Sequence, residues 1–594
     1  MRAMTDLLIQ HGTVVDGTGA PARVADVAID GGRIVAVDPA IGGTGIGRTG
    51  FGRSGFDRVI DADGHLVTPG FVDIHTHFDG QATWDPILAP SSLHGVTSIV
   101  MGNCGVGFAP ARTGAGDHDW LIGLLEGVED IPGTALAEGL PWDWESFTDY
   151  LDALDRREYT IDVAAQVAHA PLRAFVMGER GANPDEHPTD DELRAMYEQT
   201  RAGIRAGALG FSTSRTYVHR TRDGAPLGTR FSSAHELIAI TSALRDEGAG
   251  VMQMISDAYQ SPDHEYVLAE LDLMLELARA VGRPLSMTVQ QQLDTPERWR
   301  EMLSFAGRCR SAGLDVKAQV APRPIGLLSG LTASVHPFML CAAYHEVASL
   351  PLDRRVIALR DPDRRSRIVG QHGEPHEGLI GQITHRWDLL FPLTDPVDYE
   401  PAPERSVAGL AAAQGRPAAE IAYDLLLEDG GNQLLYLPLF NYVRHDLADV
   451  REMLLSDDVV LGLSDAGAHC GVICDASMPT TALALWTHRR RGEGLPLALM
   501  VHHLTQRTAR QVGWHDRGVI APGYLADINV IDLDALGARP PRIVHDLPAG
   551  GRRLMQHATG YRHTIKHGTV TFTDGEHTGA LPGRLVRGPQ THLW

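Results

Sequence analysis

Lysine is nearly absent from this chain of 594 residues, since Lys317 and Lys566 are the only two among 52 basic residues. Arginine therefore carries almost all of the positive charge. Acidic residues number 75, which gives a formal net charge of -23 at pH 7. Nucleic acids and anionic membranes attract basic surfaces, so this charge balance argues against both as partners and leaves a small molecule as the expected ligand.

Cysteine and long apolar runs are scarce as well. Five scattered cysteines are too few for a disulfide framework, and reduced thiols are typical of a cytoplasmic protein. The sequence has no run of about 18 apolar residues, which a transmembrane helix requires, and residues 1–6 lack the apolar core of a signal peptide. We therefore expect a cytoplasmic location. The cysteines are Cys104, Cys309, Cys341, Cys470 and Cys474.

The two ends of the chain share a pattern of short β-strands and turns. Residues 1–65 alternate apolar segments with glycine-containing turns, and residues 516–594 return to the same pattern. We predict a small β-sandwich domain formed from both termini, with a catalytic domain of residues 66–515 between its two parts. Residues 41–55 are rich in glycine and are interpreted as a surface loop.

The catalytic domain contains eight apolar strand-like runs that alternate with helical stretches. This pattern predicts a (β/α)8 TIM-like barrel, whose active site lies at the carboxyl ends of its strands. The runs span residues 68–77, 95–104, 162–169, 208–214, 250–255, 284–290, 314–320 and 459–465. Side chains able to bind a metal or a substrate end several of them: His75, His77, Cys104, His169, Gln290 and Asp465.

The connection between the seventh and eighth runs, about residues 321–458, is far longer than an ordinary βα loop. It begins with Pro322-Arg323-Pro324 and later contains the helical segment 418–428. We interpret this insertion as a lid over the barrel mouth, and a purely structural insertion is the alternative.

His75 and His77 follow an apolar run and a Pro-Gly turn. Residues i and i+2 of a strand point to the same side, so both imidazoles can converge on one point. Two neutral imidazoles on one point suit a divalent transition metal. In the alternative reading, one histidine caps the strand and the other is solvated.

Asp465 ends an apolar strand-like run within a turn of small residues. A metal site that activates water also requires a base to take up the proton, and Asp465 is the candidate. An aspartate in this place can instead cap the next helix. Cys104, among glycines at the end of the second run, can supply a thiolate ligand, although a buried cysteine is usually a small apolar residue.

These motifs resemble the amidohydrolase superfamily, and within it the N-acyl-D-amino-acid deacylase (D-aminoacylase) branch. The resemblance covers nearly the whole chain. It implies a (β/α)8 barrel with a small β-domain, a metal held by the histidine pair and Asp465, a bridging cysteine at Cys104 in place of a carboxylated lysine, and Asp465 as catalytic base. The matching stretches are residues 69–79, 94–105, 141–147, 207–214 and 577–584.

The chain departs from that family on two strands. The family's tightly bound zinc also uses one histidine after the fifth strand and one after the sixth, where this sequence has Gln253 and Gln290. An amide oxygen is a poorer zinc ligand than an imidazole, so we expect one Zn²⁺ or other divalent ion rather than two. His169, His219 and His469 are alternative donors. The other reading is that they have a structural role or support the ligands through hydrogen bonds. The same supporting role is a possibility for Gln253.

A deacylase must also bind the carboxylate of its substrate, for which the guanidinium group of arginine is suited. The segment after the fourth run supplies Arg215, Tyr217, His219 and Arg220. Gln290 is a further candidate for substrate binding, and Arg323 of the insertion is another. Solvated surface charge is the alternative for each arginine.

Three functions remain open at this stage. The first is metal-dependent hydrolysis of a linear amide, an N-acyl-D-amino acid above all. The second is hydrolysis of a cyclic amide or carbamate, because two changed ligand positions alter what the pocket accepts. The third is an inert scaffold that has lost its metal. The sequence leaves the acyl group, the stereochemistry and the oligomeric state open, a homo-oligomer included.

Overall fold

The structure, a computed structural model, describes residues 5–41, 56–372, 381 and 384–592. The predicted glycine-rich loop at 41–55 lies outside these residues except for Ile41. No helix in the described part of the chain is long and apolar enough to cross a membrane.

Nine strands from both ends of the chain form one hydrogen-bonded sheet. Leu66–Pro69 lies between Thr5–Val14 and Ile528–Ile531, so a strand that the sequence placed in the catalytic domain belongs to the terminal sheet. The second layer that would make this sheet a sandwich stays a prediction. In order across the sheet the strands are Glu576–His577, Thr569–Thr573, Tyr561–Lys566, Ile528–Ile531, Leu66–Pro69, Thr5–Val14, Arg23–Asp30 and Arg33–Asp38, with Phe56–Asp61 paired to Thr5–Val14.

The middle of the chain carries a series of parallel strands. Each strand pairs with its neighbour in the series, except that Gln166 divides the third strand into two pieces, each paired to a different neighbour. The strands are Phe71–Asp73, Val96–Met101, Asp162–Ala165 with Val167–Ala168, Gly210–Arg215, Val251–Ser256, Leu285–Thr288, Val316–Val320 and Val459–Leu461. We refer to them as the first to the eighth strand.

The series does not close into a complete barrel. Between the ends of the first and eighth strands the described residues form a single bridge, from Thr76 to Ala466, and no ladder. The predicted α/β fold of the TIM-barrel type is therefore confirmed. The closed eight-stranded barrel is not, because the sheet is open in the described residues. The predicted run 68–77 is also divided, because the chain passes at Gly70 from the terminal sheet to the first strand. A Cβ at Gly70 would lie 2.3 Å from Thr97, so glycine allows this close crossing.

Helices follow most of the parallel strands, and their ends carry sequence signals. The helix Asp190–Ala206, for example, begins after Thr189, which forms a capping box with Glu192, and ends at Gly207 with φ 108°. The α-helices are Ala115–Glu129, Gly133–Gly139, Phe147–Asp155, His169–Met177, Asp190–Ala206, Ala234–Glu247, His264–Val281, Arg298–Ser311, Ala342–His345, Leu352–Leu359, Pro362–Gln371, Val407–Gln414, Ala418–Leu426, Ala448–Leu454, Met478–Ala484, Leu497–His502 and Thr508–Gln511. Single π-turns occur at Leu485–Arg489 and His503–Arg507, and 3-10 turns at Gln81–Thr83, Ser91–His94, Gly178–Ala182, Asp257–Tyr259, Pro403–Arg405, Glu428–Gly431, Asp475–Ser477 and Pro548–Gly550.

The insertion 321–458 has a hydrophobic core of its own and contacts the catalytic domain at the carboxyl ends of strands. Leu328 donates its N–H to the carbonyl of Val472, beyond the eighth strand, and Asn441 donates to Gln291, beyond the sixth. The insertion contains a three-stranded sheet of Ile325–Ser329, Leu435–Phe440 and Phe391–Pro392. Two further antiparallel pairs join Gly537–Ala538 to Ala558–Thr559 and, as a hairpin between them in the chain, Arg542–Leu547 to Gly551–Met555.

A buried ion network joins the terminal sheet to the third strand. The ammonium group of Lys566 lies 2.7 Å from both Asp162 Oδ2 and Asp527 Oδ2, and Arg517 Nη1 lies 2.7 Å from Asp162 Oδ2. Asp162, Asp527 and His567 also approach one another closely enough to hold a metal. Lys566 and Arg517 already neutralise the two carboxylates, so we assign this cluster to structure.

Replacing Lys566 by methionine should lower the free energy of unfolding by about 3–5 kcal/mol, because two buried carboxylates lose their shared cation. The urea midpoint followed by circular dichroism measures the loss. Lys317→Met is the matched control, since Lys317 Nζ lies 3.7 Å from Asp458, which keeps Arg310 at 2.7 Å; its expected cost is about 0–1 kcal/mol. Equal midpoints for the two variants would contradict the structural role of the network.

Candidate metal centre

The two histidines lie just beyond the first strand, where backbone hydrogen bonds hold their segment on both sides. Thr76 donates its N–H to Val100 O of the second strand at 3.1 Å, and His77 donates to Ala466 O, beyond the eighth strand, at 2.7 Å. The strand-like alternation therefore continues through this segment. His75 and His77 are both buried, and their ring centroids are 5.6 Å apart.

Cys104 lies in a tight turn after the second strand. Gly102 has φ 78°, and a Cβ there would lie 2.4 Å from the carbonyl oxygen of Gln166, so only glycine fits this approach to the third strand. Cys104 itself has φ 55°, and its backbone N–H donates to Oε1 of Gln253 at 2.8 Å. The turn places Cys104 Sγ 3.2 Å from His75 Nε2.

Asp465 reaches the same point from the eighth strand. Its φ of 44° turns the chain sharply, and its Oδ1 lies 3.2 Å from His75 Nε2 and 3.7 Å from His77 Nε2. The ligand atoms of His75, His77 and Cys104 all lie within 4.8 Å of one another. The structure thus brings together the four side chains that the sequence selected as metal ligands.

An oxygen atom lies near the far side of each imidazole ring. His75 Nδ1 is hydrogen-bonded to Oε1 of Gln319, on the seventh strand. His77 Nδ1 lies 3.3 Å from Oε1 of Glu129, and this contact does not have hydrogen-bond geometry. An oxygen at Nδ1 favours the tautomer that carries the proton there, which leaves the Nε2 lone pair directed at the shared point. Metal-binding histidines typically have such a partner, which fixes the orientation of the ring.

Glu129 and Gln319 are the two site residues that the sequence analysis missed. Glu129 ends the helix Ala115–Glu129 and is 2% exposed, and its Oε2 lies 3.7 Å from His469 Nε2. The available sequence signal was weak: Glu129 and Asp130 are two adjacent acidic residues shortly before Pro132-Gly133, at the end of a helix after the second strand. Gln319 is an interior residue of a buried strand and carries no local signal.

The electrostatics of the cluster call for a cation. Burial, reinforced by the charges of Glu129 and Asp465, raises the pKa of the Cys104 thiol well above its ordinary value. Burial and the charge of Asp465 likewise raise the pKa of Glu129. Three acidic groups in one buried space repel one another, and a divalent cation would relieve this repulsion. Two nitrogens, one sulfur and one carboxylate oxygen form a donor set that zinc accepts.

Burial lowers the pKa of His77 to about 4. The ring is therefore neutral at pH 7, as a metal ligand must be. Burial raises the pKa of Asp465, but the electrostatic interactions with His75 and His77 outweigh it and hold the pKa well below its ordinary value. Asp465 is thus ionised when it faces the two imidazoles.

The residues predicted to bind substrate are spread over different surroundings. Arg215 is buried, and its Nε donates to Glu270 at 2.9 Å, so its charge is already neutralised. Tyr217 and Arg220 are exposed on the loop after the fourth strand. His219 bonds to Ser214, and burial lowers its pKa to about 3, with the charges of His77 and His469 acting in the same direction. His219 is therefore within electrostatic range of the cluster.

The remaining predicted residues serve neighbouring structure. His169 is buried between Thr213 Oγ1 at 2.9 Å and Glu236 Oε1 at 3.1 Å, whereas Gln253 holds the Cys104 turn. Gln290 is buried, and its Oε1 has no partner among the described residues. Arg323 pairs with Asp475 at 2.9 Å inside the protein. His169, a candidate metal donor, and Arg323, a candidate for binding the substrate carboxylate, are thus both occupied by protein partners.

Known proteins are similar in sequence to this chain over nearly its full length. The model of the amidohydrolase family Amidohydro_3 matches residues 58–572. N-acyl-D-aspartate deacylase of Alcaligenes xylosoxydans xylosoxydans is 34% identical over 98% of this chain and 95% of its own. N-acyl-D-glutamate deacylase of the same organism is 32% identical over 99% of this chain and 97% of its own.

Solved structures give the same result for the fold. N-acyl-D-glutamate deacylase from Bordetella bronchiseptica, complexed with zinc and a phosphonate inhibitor, has a TM-score of 0.61 at 24% identity and covers 98% of this chain and 100% of its own. Crystal structures of D-aminoacylase give the same TM-score and coverage. Because the fold, the family model and the deacylase relatives agree over nearly the full length, the chain belongs to the amidohydrolase family, in its D-aminoacylase-like branch.

Proposed function

We propose that this protein is a metal-dependent hydrolase that cleaves the amide bond of N-acyl-D-amino acids, releasing a carboxylate and a free D-amino acid. The observation that carries the proposal is the convergence of His75, His77, Cys104 and Asp465 on one buried point. The substrate class comes from the relatives, which are named N-acyl-D-glutamate deacylase and N-acyl-D-aspartate deacylase.

We propose that these four side chains hold the metal, with zinc as the first choice. A bound Zn²⁺ lowers the pKa of a water ligand to about 7 and polarises a carbonyl oxygen. Gln319 orients the His75 imidazole through a hydrogen bond at Nδ1, and Glu129 places its carboxyl group 3.3 Å from Nδ1 of His77. Gln253 supports the Cys104 turn from the fifth strand.

Asp465 is the proposed base. Its carboxylate is ionised and lies beside both imidazoles, so it can accept the proton of the attacking water and return it to the leaving nitrogen. Burial of the surrounding residues excludes bulk water, which strengthens each of these charge interactions.

The four donor side chains of the cluster are enough to coordinate one metal ion. The fifth and sixth strands, which supply histidines in the family, supply Gln253 and Gln290 here, and the amide oxygen of Gln253 already accepts from Cys104 N. A binuclear centre has been studied in D-aminoacylase, with activation by one metal and attenuation by the second. We propose that this chain works with one ion.

For the substrate carboxylate we propose the loop after the fourth strand, with Tyr217, His219 and Arg220, together with the buried amide of Gln290. His219 is the member of this set that the charges of the metal cluster reach. Residues 321–458 are proposed to act as a lid, because they contact the loops beyond the sixth and eighth strands. We further propose a cytoplasmic location, in keeping with five free, buried cysteines, and an assembly limited to copies of this chain.

Hydrolysis assays with N-acetyl-D-amino acids, including N-acetyl-D-aspartate and N-acetyl-D-glutamate, should give turnover at least about 100-fold above that of the L-enantiomers, since a site built for one hand leaves polar groups unpaired with the other. Ninhydrin detection of the free amino acid measures it. Dialysis against a chelator should abolish activity, and one equivalent of zinc should restore it. Preferential hydrolysis of hydantoins would contradict the proposed substrate class, and full activity after metal removal would contradict the metal.

Asp465→Asn should lower kcat by about 10²–10⁴-fold, because the amide cannot take up the proton. It should leave zinc bound, since the amide oxygen can still face the ion. The control Asp475→Asn changes a carboxylate paired to Arg323, outside the metal cluster. Near-normal turnover of Asp465→Asn with zinc in place would exclude Asp465 as the base.

Glu129→Gln should weaken zinc binding by about 10- to 100-fold, because a neutral amide replaces the carboxyl group that lies beside Nδ1 of His77. Competition with a chromogenic chelator measures the affinity. Glu126→Gln is the matched control on the same helix, since Glu126 is more exposed and pairs with Arg222 at 3.6 Å. Unchanged zinc affinity in Glu129→Gln would show that His77 needs no such support.

A further inference from the structure

A cavity of about 560 Å³ lies between the insertion and the hairpin Arg542–Leu547/Gly551–Met555. Its polar wall comes from Ser334, His336 and Arg355 of the insertion and from Arg552 of the hairpin. None of the metal-cluster residues lines it. The cavity is therefore a feature separate from the metal centre.

Two guanidinium groups in this wall, those of Arg355 and Arg552, donate to neutral oxygens and have no acidic partner among the residues that the structure describes. Arg355 donates to the carbonyls of Leu331 and Leu350 and to the Tyr344 hydroxyl group. Arg552 donates to the carbonyl of Thr332 and to Ser334 Oγ. No aspartate or glutamate among the described residues lines the cavity. In a chain with a net charge of -23, two uncompensated arginines at one opening create a local positive potential.

Asp130 lies close enough to Arg552 for the positive charge of Arg552 to lower the pKa of its carboxyl group. Burial raises the pKa of Asp130, and the charges of His469 and Arg552 lower it. Asp130 accepts instead from the N–H of Gly471 at 3.0 Å, and it makes no ion pair with Arg552. Arg552 is exposed and donates to Thr332 O and Ser334 Oγ, which leaves part of its five N–H groups for a ligand inside the cavity.

His336 adds a further unsatisfied donor to the wall. It is 4% exposed, and its Nδ1 accepts from the N–H of Phe338 at 3.2 Å, so the neutral ring carries its proton on Nε2. Nε2 has no hydrogen-bond partner in the described part of the chain. Burial lowers the pKa of His336 to about 3, which keeps the ring neutral. The wall is therefore rich in donors and holds no carboxylate.

Part of the wall is apolar. Leu331, Met339, Ala348, Leu352 and Ile543 line the cavity beside the polar groups, which also include Thr332, Tyr344, Asn432 and His545. Apolar walls with a few placed donors favour a ligand with one charged end and an apolar body. An inorganic ion alone would leave this part of the cavity unused.

We propose that this cavity binds a small organic oxyanion, a carboxylate or phosphate on a short apolar body, at a site distinct from the metal centre. The site adds a binding function to the proposed hydrolase and does not depend on its catalytic step. Arg552 and Arg355 supply the charge, and Ser334 a hydroxyl group.

Isothermal titration calorimetry of the full, zinc-loaded chain tests the site with hexanoate, hexyl phosphate, acetate and inorganic phosphate. We expect saturable binding of hexanoate or hexyl phosphate, and the stronger of the two identifies the charged group. Acetate and inorganic phosphate should bind at least about tenfold more weakly, because they lack the apolar body. Arg552→Gln should weaken binding by at least about tenfold, since one charge-assisted hydrogen bond is lost.

Arg542→Gln is the matched control. Arg542 lies on the same hairpin, pairs with Asp429 at 3.2 Å and does not line the cavity, so its replacement should leave the affinity unchanged. An anion that binds the zinc ion would bind Arg552→Gln as well as the unaltered protein. Equal affinities in those two proteins, or no saturable binding up to about 10 mM, would overturn the proposal. Because the readout is heat of binding, the result is independent of whether the chain is a deacylase.

Discussion

The meeting of two imidazole nitrogens with the carboxylate of Asp465 in a buried space is the interaction on which the rest of the site depends. Charged groups are costly inside a protein unless a partner compensates them. Here Cys104 and Glu129 add further acidic groups to the same space. An ion that neutralises them converts this repulsion into the binding energy of the site, which is why the cluster has a physical reason to hold a cation.

Amide side chains do the supporting work around this cluster. Gln319 orients His75, and Gln253 holds the turn that carries Cys104. A neutral amide directs a neighbouring group without adding charge, so the negative charge of the ligands stays uncompensated except by the metal. Through Gln253 the fifth strand supports the turn that carries Cys104 after the second strand.

The sequence predicted those parts of the molecule whose signal is local. His75, His77 and Asp465 each end an apolar run, and parallel strands place their ends together. Glu129 and Gln319 lie 52 and 244 positions from the histidines that they contact, and only the folded chain brings them close. The pairing of Arg215 with Glu270 escaped prediction for the same reason. The run 68–77 was taken as one strand because periodicity alone does not show that the chain changes sheets at Gly70.

The metal centre and the insertion cavity are opposite in charge, and one short segment contacts residues of both. Acidic groups crowd the first, unpaired arginines line the second, and residues 469–474 run between them. His469 lies 3.7 Å from Glu129, while Gly471 donates to Asp130 and accepts from the backbone of Ser334. Energetic coupling between two sites needs a physical element that contacts both. Residues 469–474 contact Glu129 on one side and Ser334 of the cavity wall on the other, so they form such an element.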